Sequence, residues 1–145
     1  MATVRPDQKR HALVRAVPDS YPKALARFFG SGPTDIATAR AQHQAYRQAL
    51  VDNGVEVTVL PADHAHPDCI FVEDQAVVID GHVLLPVPGH PSRVGEQPPV
   101  ADFLVRQLHG GRLSRMDGAA RMDGGAPLRP CHLFCVGRST RTHGA

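Results

Sequence analysis

Apolar residues in this chain fall into short runs broken by Pro, Gly and acidic residues, and the spacing within each run predicts its element. Arg10-His11-Ala12-Leu13-Val14-Arg15-Ala16-Val17 reads as a strand, closed by the turn-forming Pro18-Asp19-Ser20-Tyr21-Pro22. After Gly30-Ser31-Gly32-Pro33, a helix is expected from Thr34 to just before Gly54, with Asp35 in its first turn. Ala37, Ala41, Ala45 and Ala49 lie four apart, flanked by Tyr46 and Leu50, and predict a narrow packing face. Val55-Glu56-Val57-Thr58-Val59-Leu60 alternates and is rich in β-branched residues, as a half-buried strand would be.

The stretch from Pro67 to Asp80 is the most unusual. Asp68 precedes the apolar Cys69-Ile70-Phe71-Val72, and Glu73-Asp74 interrupts the pattern before Ala76-Val77-Val78-Ile79 resumes. One or two short strands are expected here, followed by a hairpin at Asp80-Gly81 into His82-Val83-Leu84-Leu85-Pro86-Val87. Pro88 to Gly95 has loop composition; Pro98 and Pro99 suit the first turn of a second helix with Val100, Phe103, Leu104 and Leu108 inward, ended by Gly110-Gly111. The order then repeats: a short strand at Arg112-Leu113, an acid at Asp123, a β-run at Leu133-Phe134-Cys135-Val136, then Thr140-Arg141 where the first copy has Ser92-Arg93. An internal repeat of this kind predicts an array of α/β modules rather than a doubly wound sheet.

Composition narrows the classes. With 145 residues, 42% of them hydrophobic, one core is expected. Two Tyr, five Phe, no Trp and a net charge of +2 with scattered basic residues argue against a nucleic-acid surface. No apolar run reaches the 18 or so residues of a membrane span, and Met1 to Asp7 lacks the apolar core of a secretory signal. Three cysteines, too few for a disulfide framework, agree with a cytoplasmic location. His64, His66 and Cys69, and Cys131, His132 and Cys135, lack the paired spacing of a zinc site, and Gly124-Gly125 lacks the lysine of a phosphate loop. No metal or cofactor is expected.

An ionised acid beside apolar strands needs a compensating charge, since leaving it unpaired costs several kcal/mol. Asp68, Glu73 and Asp74 with Arg93 and Arg141 suit a small zwitterion carrying a guanidinium at one end and a carboxylate at the other. Spacing alone is equally met if Arg93 and Arg141 neutralise those acids within the fold.

Beyond spacing, Leu60-Pro61-Ala62-Asp63, the run from Pro67 to Val78, Pro91-Ser92-Arg93, Met122-Asp123-Gly124-Gly125 and Val136-Gly137-Arg138-Ser139-Thr140-Arg141-Thr142 resemble the dimethylarginine dimethylaminohydrolases. The resemblance implies the pentein fold, a propeller of five ββαβ modules, of which this chain would be roughly the first two to three, as a single incomplete domain over residues 1–145. It implies hydrolysis of asymmetric dimethylarginine or monomethylarginine to citrulline and a methylamine, by thiolate attack on the guanidinium carbon with a histidine as acid and base. Asp68, Glu73 and Asp74 would hold the guanidinium, Arg93 and Arg141 the substrate carboxylate, and Asp123 would orient the catalytic histidine. In that family the histidine lies beyond the segment matching Arg141, and the nucleophile near the end of a longer chain. Neither is expected within these residues, and Cys69, Cys131 and Cys135 do not take the nucleophile's place. The run Gly125-Ala126-Pro127 also departs from the family pattern. Two functions follow: the substrate-binding half of an amidinohydrolase, completed by further modules, or a catalytically inactive binding or interaction module. Exposed module edges would favour self-association.

Overall fold

The computed structural model describes residues 10–25, 34–79, 81–107, 111–128 and 135–144. Asp80, Leu108, Gly110, Cys131, His132 and the Leu133-Phe134 part of the last β-run lie outside them, as does the loop expected at 30–33. The chain divides into two units, residues 2–71 and residues 72–145, each built around its own strands.

In residues 2–71, strand β1 (Arg10–Arg15) pairs in parallel with β2 (Val55–Leu60), Arg10 opposite Val55 and Arg15 opposite Leu60. Parallel pairing requires a crossover, and helix α1 (Ile36–Asp52) provides it. The helix begins two residues later than the sequence suggested, because Asp35 is its N-cap: the carboxylate accepts from Ala37 N–H at 3.0 Å and Thr38 N–H at 3.3 Å. Gly54, at φ 72°, follows its C-terminal end.

The alanine stripe is not the packing face. Ala37, Ala41, Ala45 and Ala49 are exposed, and the half-buried positions are Ile36, Ala39, His43, Arg47 and Leu50. Spaced three and four apart, these form one helical face. Hydrophobic gain scales with area, so the bulk of Ile36 and Leu50 with the stems of His43 and Arg47 covers the sheet better than a row of methyl groups.

In residues 72–145, β3 (Val77–Ile79) and β4 (His82–Leu85) form the expected hairpin, antiparallel, with Ile79 opposite His82 and Gly81 at φ 78°. Helix α2 (Gln97–Gln107) then carries the chain to β5 (Arg112–Arg115), which pairs in parallel with the other edge of β4. Val83, Leu85 and Ala101 form the core between sheet and helix, with Ala76 and Leu104 against it. A short antiparallel pair, β6 (Pro127–Leu128) with β7 (Cys135–Val136), follows. Pro127 opens its strand, a position where its missing N–H is tolerated.

Two segments differ from the sequence reading. Only Val77–Ile79 of the acidic stretch is a strand, while Val72–Gln75 is a 3-10 turn. Pro91–Glu96, whose composition reads as loop, is also 3-10, started by His90, whose ring accepts from Ser92 N–H. Among the described residues, no helix is long and apolar enough to cross a membrane.

Candidate active site

Asp68 belongs to residues 2–71. It is buried, and its Oδ1 accepts from Leu25 N–H at 3.0 Å. The neighbouring histidines and cysteine are each engaged separately. His64 Nδ1 accepts from Asp19 N–H, His66 Nδ1 lies 2.8 Å from Asp63 Oδ2, and Cys69 Sγ lies 3.7 Å from the Asp63 carbonyl. Asp63 also meets Arg15 Nη2 at 3.3 Å. Burial alone would raise the Asp63 pKa, but hydrogen bonds from His66 and Ala65 N–H and the charges of His66 and Arg15 hold it below its ordinary value.

The other five candidates lie in residues 72–145, and the fold joins them. Glu73 and Asp74 stand on the 3-10 turn that leads into β3. Arg93 stands on the second 3-10 turn, reached after β4 has crossed the sheet. Its guanidinium is 4% exposed; Nη1 donates to Asp74 Oδ2 at 2.5 Å, while Nε and Nη2 donate to Glu96 at 3.0 and 2.8 Å. Burial would lower the arginine pKa, yet the hydrogen bonds and charges of Glu96 and then Asp74 raise it above its ordinary value. Buried ions cost several kcal/mol each unless geometry and hydrogen bonding compensate, and Arg93 meets that condition with both edges of its fork.

Among the described residues Glu73 has no ion pair of this kind. The residue as a whole is exposed, yet its carboxyl is crowded. Burial is the first cause of a pKa above the ordinary value; the Asp74 charge adds to it, against a backbone hydrogen bond and the charge of Arg93.

The Met122-Asp123-Gly124-Gly125 segment closes over this turn. Met122 N–H donates to Val87 O and Gly124 N–H to Asp74 O, at 2.9 and 2.7 Å. A side chain at Gly125 would meet Asp74 Oδ1 at 2.7 Å, so the absence of one lets the backbone lie against that carboxylate. Asp123 is 2% exposed, and its Oδ1 accepts from Gly89 N–H at 2.9 Å. Its Oδ2 lies 3.2 Å from Arg141 Nη1, an ion-pair distance without hydrogen-bond alignment, so this buried oxygen has no hydrogen-bonding partner among the described residues. Arg141 itself is 62% exposed. Asp74 pairs with Arg93 and Asp123 with Arg141, the Gly124 N–H bond to Asp74 O joins the two pairs, and Glu73 stands beside Asp74 on the same turn.

Sequence reasoning missed Glu96, Gln75 and Gln97. Glu96 is 1% exposed and grips Arg93; Gln75, also 1% exposed, donates to Glu96 Oε2 at 2.8 Å. Gln97 Nε2 donates to Gln75 O at 3.2 Å and Pro86 O at 2.7 Å. The signal was the three-residue spacing of Arg93 and Glu96, which has meaning only once a helical turn is placed there.

Comparison with known proteins places the architecture first. The fold is the mixed α/β fold of the penteins. The N-terminal domain of a cyanobacterial arginine dihydrolase bound to its product superposes with a TM-score of 0.67 over 83% of this chain and 45% of that one, at 18% identity. The dimethylarginine dimethylaminohydrolase of Pseudomonas aeruginosa, solved as a cysteine-to-serine variant with citrulline, superposes at a TM-score of 0.86 and 30% identity, over 92% of this chain and 52% of that one. The family model for N,N dimethylarginine dimethylhydrolase, eukaryotic, matches residues 24–114. The chain belongs to the dimethylarginine dimethylaminohydrolase family. Its sequence is 32% identical over 112 residues to the Pseudomonas aeruginosa enzyme, covering 77% of this chain and 44% of that protein. It is 33% identical over 137 residues to the Streptomyces coelicolor enzyme, covering 94% and 52%. The chain spans about half the length of these curated relatives.

Proposed function

We propose that this chain supplies the substrate-recognising part of a hydrolase that converts N-methylated arginines to citrulline and a methylamine, and forms the first two to three modules of a pentein propeller as one incomplete domain. The observation that carries this reading is the joining of Glu73, Asp74, Arg93, Asp123 and Arg141, from four separate segments, into one set. A site with acids at one end and an exposed arginine at the other matches a zwitterionic guanidino acid.

In this reading Glu73 and Asp74 hold the guanidinium and Arg141 faces the carboxylate, while Arg93, its fork occupied by Asp74 and Glu96, fixes the acidic turn; the guanidinium role of Asp68 rests on the family resemblance alone. Acids fixed around the guanidinium hold it in the orientation that the transition state needs, which costs no reorganisation during the reaction. The Oδ2 of Asp123, 3.2 Å from Arg141 Nη1 but without a hydrogen-bond donor among the described residues, is a buried acceptor suited to the ring N–H of a histidine. The thiolate and imidazole steps belong to the part of the family's length beyond the half matched here, carried by a longer chain or a second one. The thiolate adds to the guanidinium carbon, the amine leaves with a proton from the imidazole, and water then displaces the sulfur to give citrulline.

Calorimetric titration with asymmetric dimethylarginine tests the assignment. Uptake is expected in the unsubstituted chain, and Asp68→Asn and Glu73→Gln should each weaken it about tenfold or more, as loss of a charge-assisted hydrogen bond would. Equal affinity in both variants would refute the assigned roles.

A further inference from the structure

Gly89, between β4 and the second 3-10 turn, lies directly against the backbone of Arg141. A Cβ at this position would fall on the Arg141 carbonyl oxygen, 2.5 Å from the Arg141 Cα and 2.7 Å from its carbonyl carbon. All three are backbone atoms, so no side chain could turn aside to admit it. The same residue donates its N–H to Asp123 Oδ1 at 2.9 Å, and the other oxygen of that carboxylate lies 3.2 Å from Arg141 Nη1. Gly89 thus touches both members of the Asp123–Arg141 pair, one with its N–H and the other through the side chain it lacks.

We propose that Gly89 is a positioning residue for Arg141: it seats the Arg141 backbone at a fixed distance from Asp123, and so directs the exposed guanidinium to the carboxylate end of a guanidino acid. The inference rests on the proposed reading of Arg141 as the group that faces that carboxylate.

Neighbouring contacts close the seat. Met122 N–H donates to Val87 O at 2.9 Å, which holds the Asp123 segment alongside residues 87–89. Arg121 and His143 exchange backbone hydrogen bonds of 2.9 Å in both directions, which sets the register of the Arg141 segment against the Asp123 segment. Ser139 Oγ accepts from the backbone N–H groups of Arg141 and Thr142, both at 3.1 Å, and fixes the turn from which Arg141 projects. An alanine at 89 would keep the N–H bond to Asp123 but displace the Arg141 backbone by about 0.9 Å, the shortfall of 2.5 Å from the 3.4 Å of ordinary contact. Charge-assisted arginine contacts hold over about 2.7–2.9 Å in a fixed plane, so a guanidinium reaching from a displaced backbone loses its paired alignment with a carboxylate.

Calorimetry with asymmetric dimethylarginine and with dimethylagmatine, which has the same guanidinium and amine but no carboxylate, reads the two ends of the ligand separately. Gly89→Ala should weaken dimethylarginine about tenfold and dimethylagmatine by less than about threefold. In an Arg141→Met chain, Gly89→Ala should weaken dimethylarginine by less than about threefold more, because the group it acts through is gone; an undiminished loss there overturns the inference. Ser139→Ala loosens the same turn without adding an atom and should weaken dimethylarginine about fivefold while sparing dimethylagmatine. It carries the test if Gly89→Ala loses its cooperative urea transition. A merely structural role would move both ligands together, so equal losses, or none, in the variant that folds overturn the inference while leaving binding by the unsubstituted chain intact. If both variants lose that transition, the seat is only structural and the inference falls. If the unsubstituted chain binds the two ligands equally, or binds neither, the reading of Arg141 falls, and this inference with it.

Discussion

Replacing Gly124 with alanine tests whether the acidic turn and the Asp123 segment are held as tightly as their backbone contacts indicate. The added Cβ would sit 2.5 Å from the Glu73 carbonyl oxygen, 2.8 Å from that of Ala76 and 3.0 Å from the Ala76 carbonyl carbon. All three are backbone atoms, so no side chain can rotate aside. The first contact falls about 0.9 Å short of the 3.4 Å where ordinary van der Waals contact begins, and the two segments must part by about that much. Overpacking of this kind costs about 1–3 kcal/mol. The 2.7 Å hydrogen bond from Gly124 N–H to Asp74 O is stretched at the same time, a loss of about 0.5–1.5 kcal/mol. Reduced freedom of the unfolded chain returns about 0.4–1 kcal/mol. A net destabilisation of about 0.5–4 kcal/mol follows. Urea unfolding should show a midpoint lower by about 1 M at unchanged slope. Gly137→Ala, where a Cβ meets nothing within 4 Å, is the control and should change stability by less than about 0.5 kcal/mol. A Gly124→Ala midpoint equal to or above that of the unsubstituted chain would refute the close approach.

Two further outcomes follow from the charges. Arg93→Met leaves Asp74 and Glu96 buried without their shared cation and should cost about 3–5 kcal/mol, read as a collapse of the urea midpoint; a loss under about 1 kcal/mol would mean that solvent already compensates these acids. Glu73 gives a pH signature. Because its folded pKa lies above the ordinary 4.5, the folded chain holds that proton more tightly than the unfolded one, so its contribution to stability is greatest in acid and declines as pH rises through 4.5 towards the folded value. Glu73→Gln should therefore raise the urea midpoint at pH 7 relative to the unsubstituted chain and do so less at pH 4; a difference independent of pH would contradict the crowding of that carboxyl.

Local patterns were legible where they required only neighbours. The alternation of Val55 to Leu60 sets β2, Gly81 takes the positive φ of the hairpin connection, and Pro98 and Pro99 lie in the first turn of α2. The elements misread are those decided at a distance. Ala37 to Ala49 looks like a packing stripe to a periodicity argument, but which face turns inward depends on what the sheet offers, and Ile36 and Leu50 bury more area. Val72–Gln75 and Pro91–Glu96 are turns whose Asp74 and Glu96 converge on Arg93, the first across 19 residues, a pairing that no local pattern shows. The candidate residues themselves were found from charge beside apolar runs and from family motifs, whereas the Glu96 to Gln75 contact spans 21 residues and has no local signature.

The clamped state of Arg93 bears on how a ligand would be greeted. A flexible arginine and aspartate on an open surface must each be immobilised at the moment of binding, at about 0.5–1.5 kcal/mol per side chain. Here folding has already frozen both, with Asp74 and Glu96 fixing the guanidinium plane. Arg141, 62% exposed, still has that freedom to lose. Arg93 would therefore add little ordering cost to association, whereas Arg141 would still bear its own.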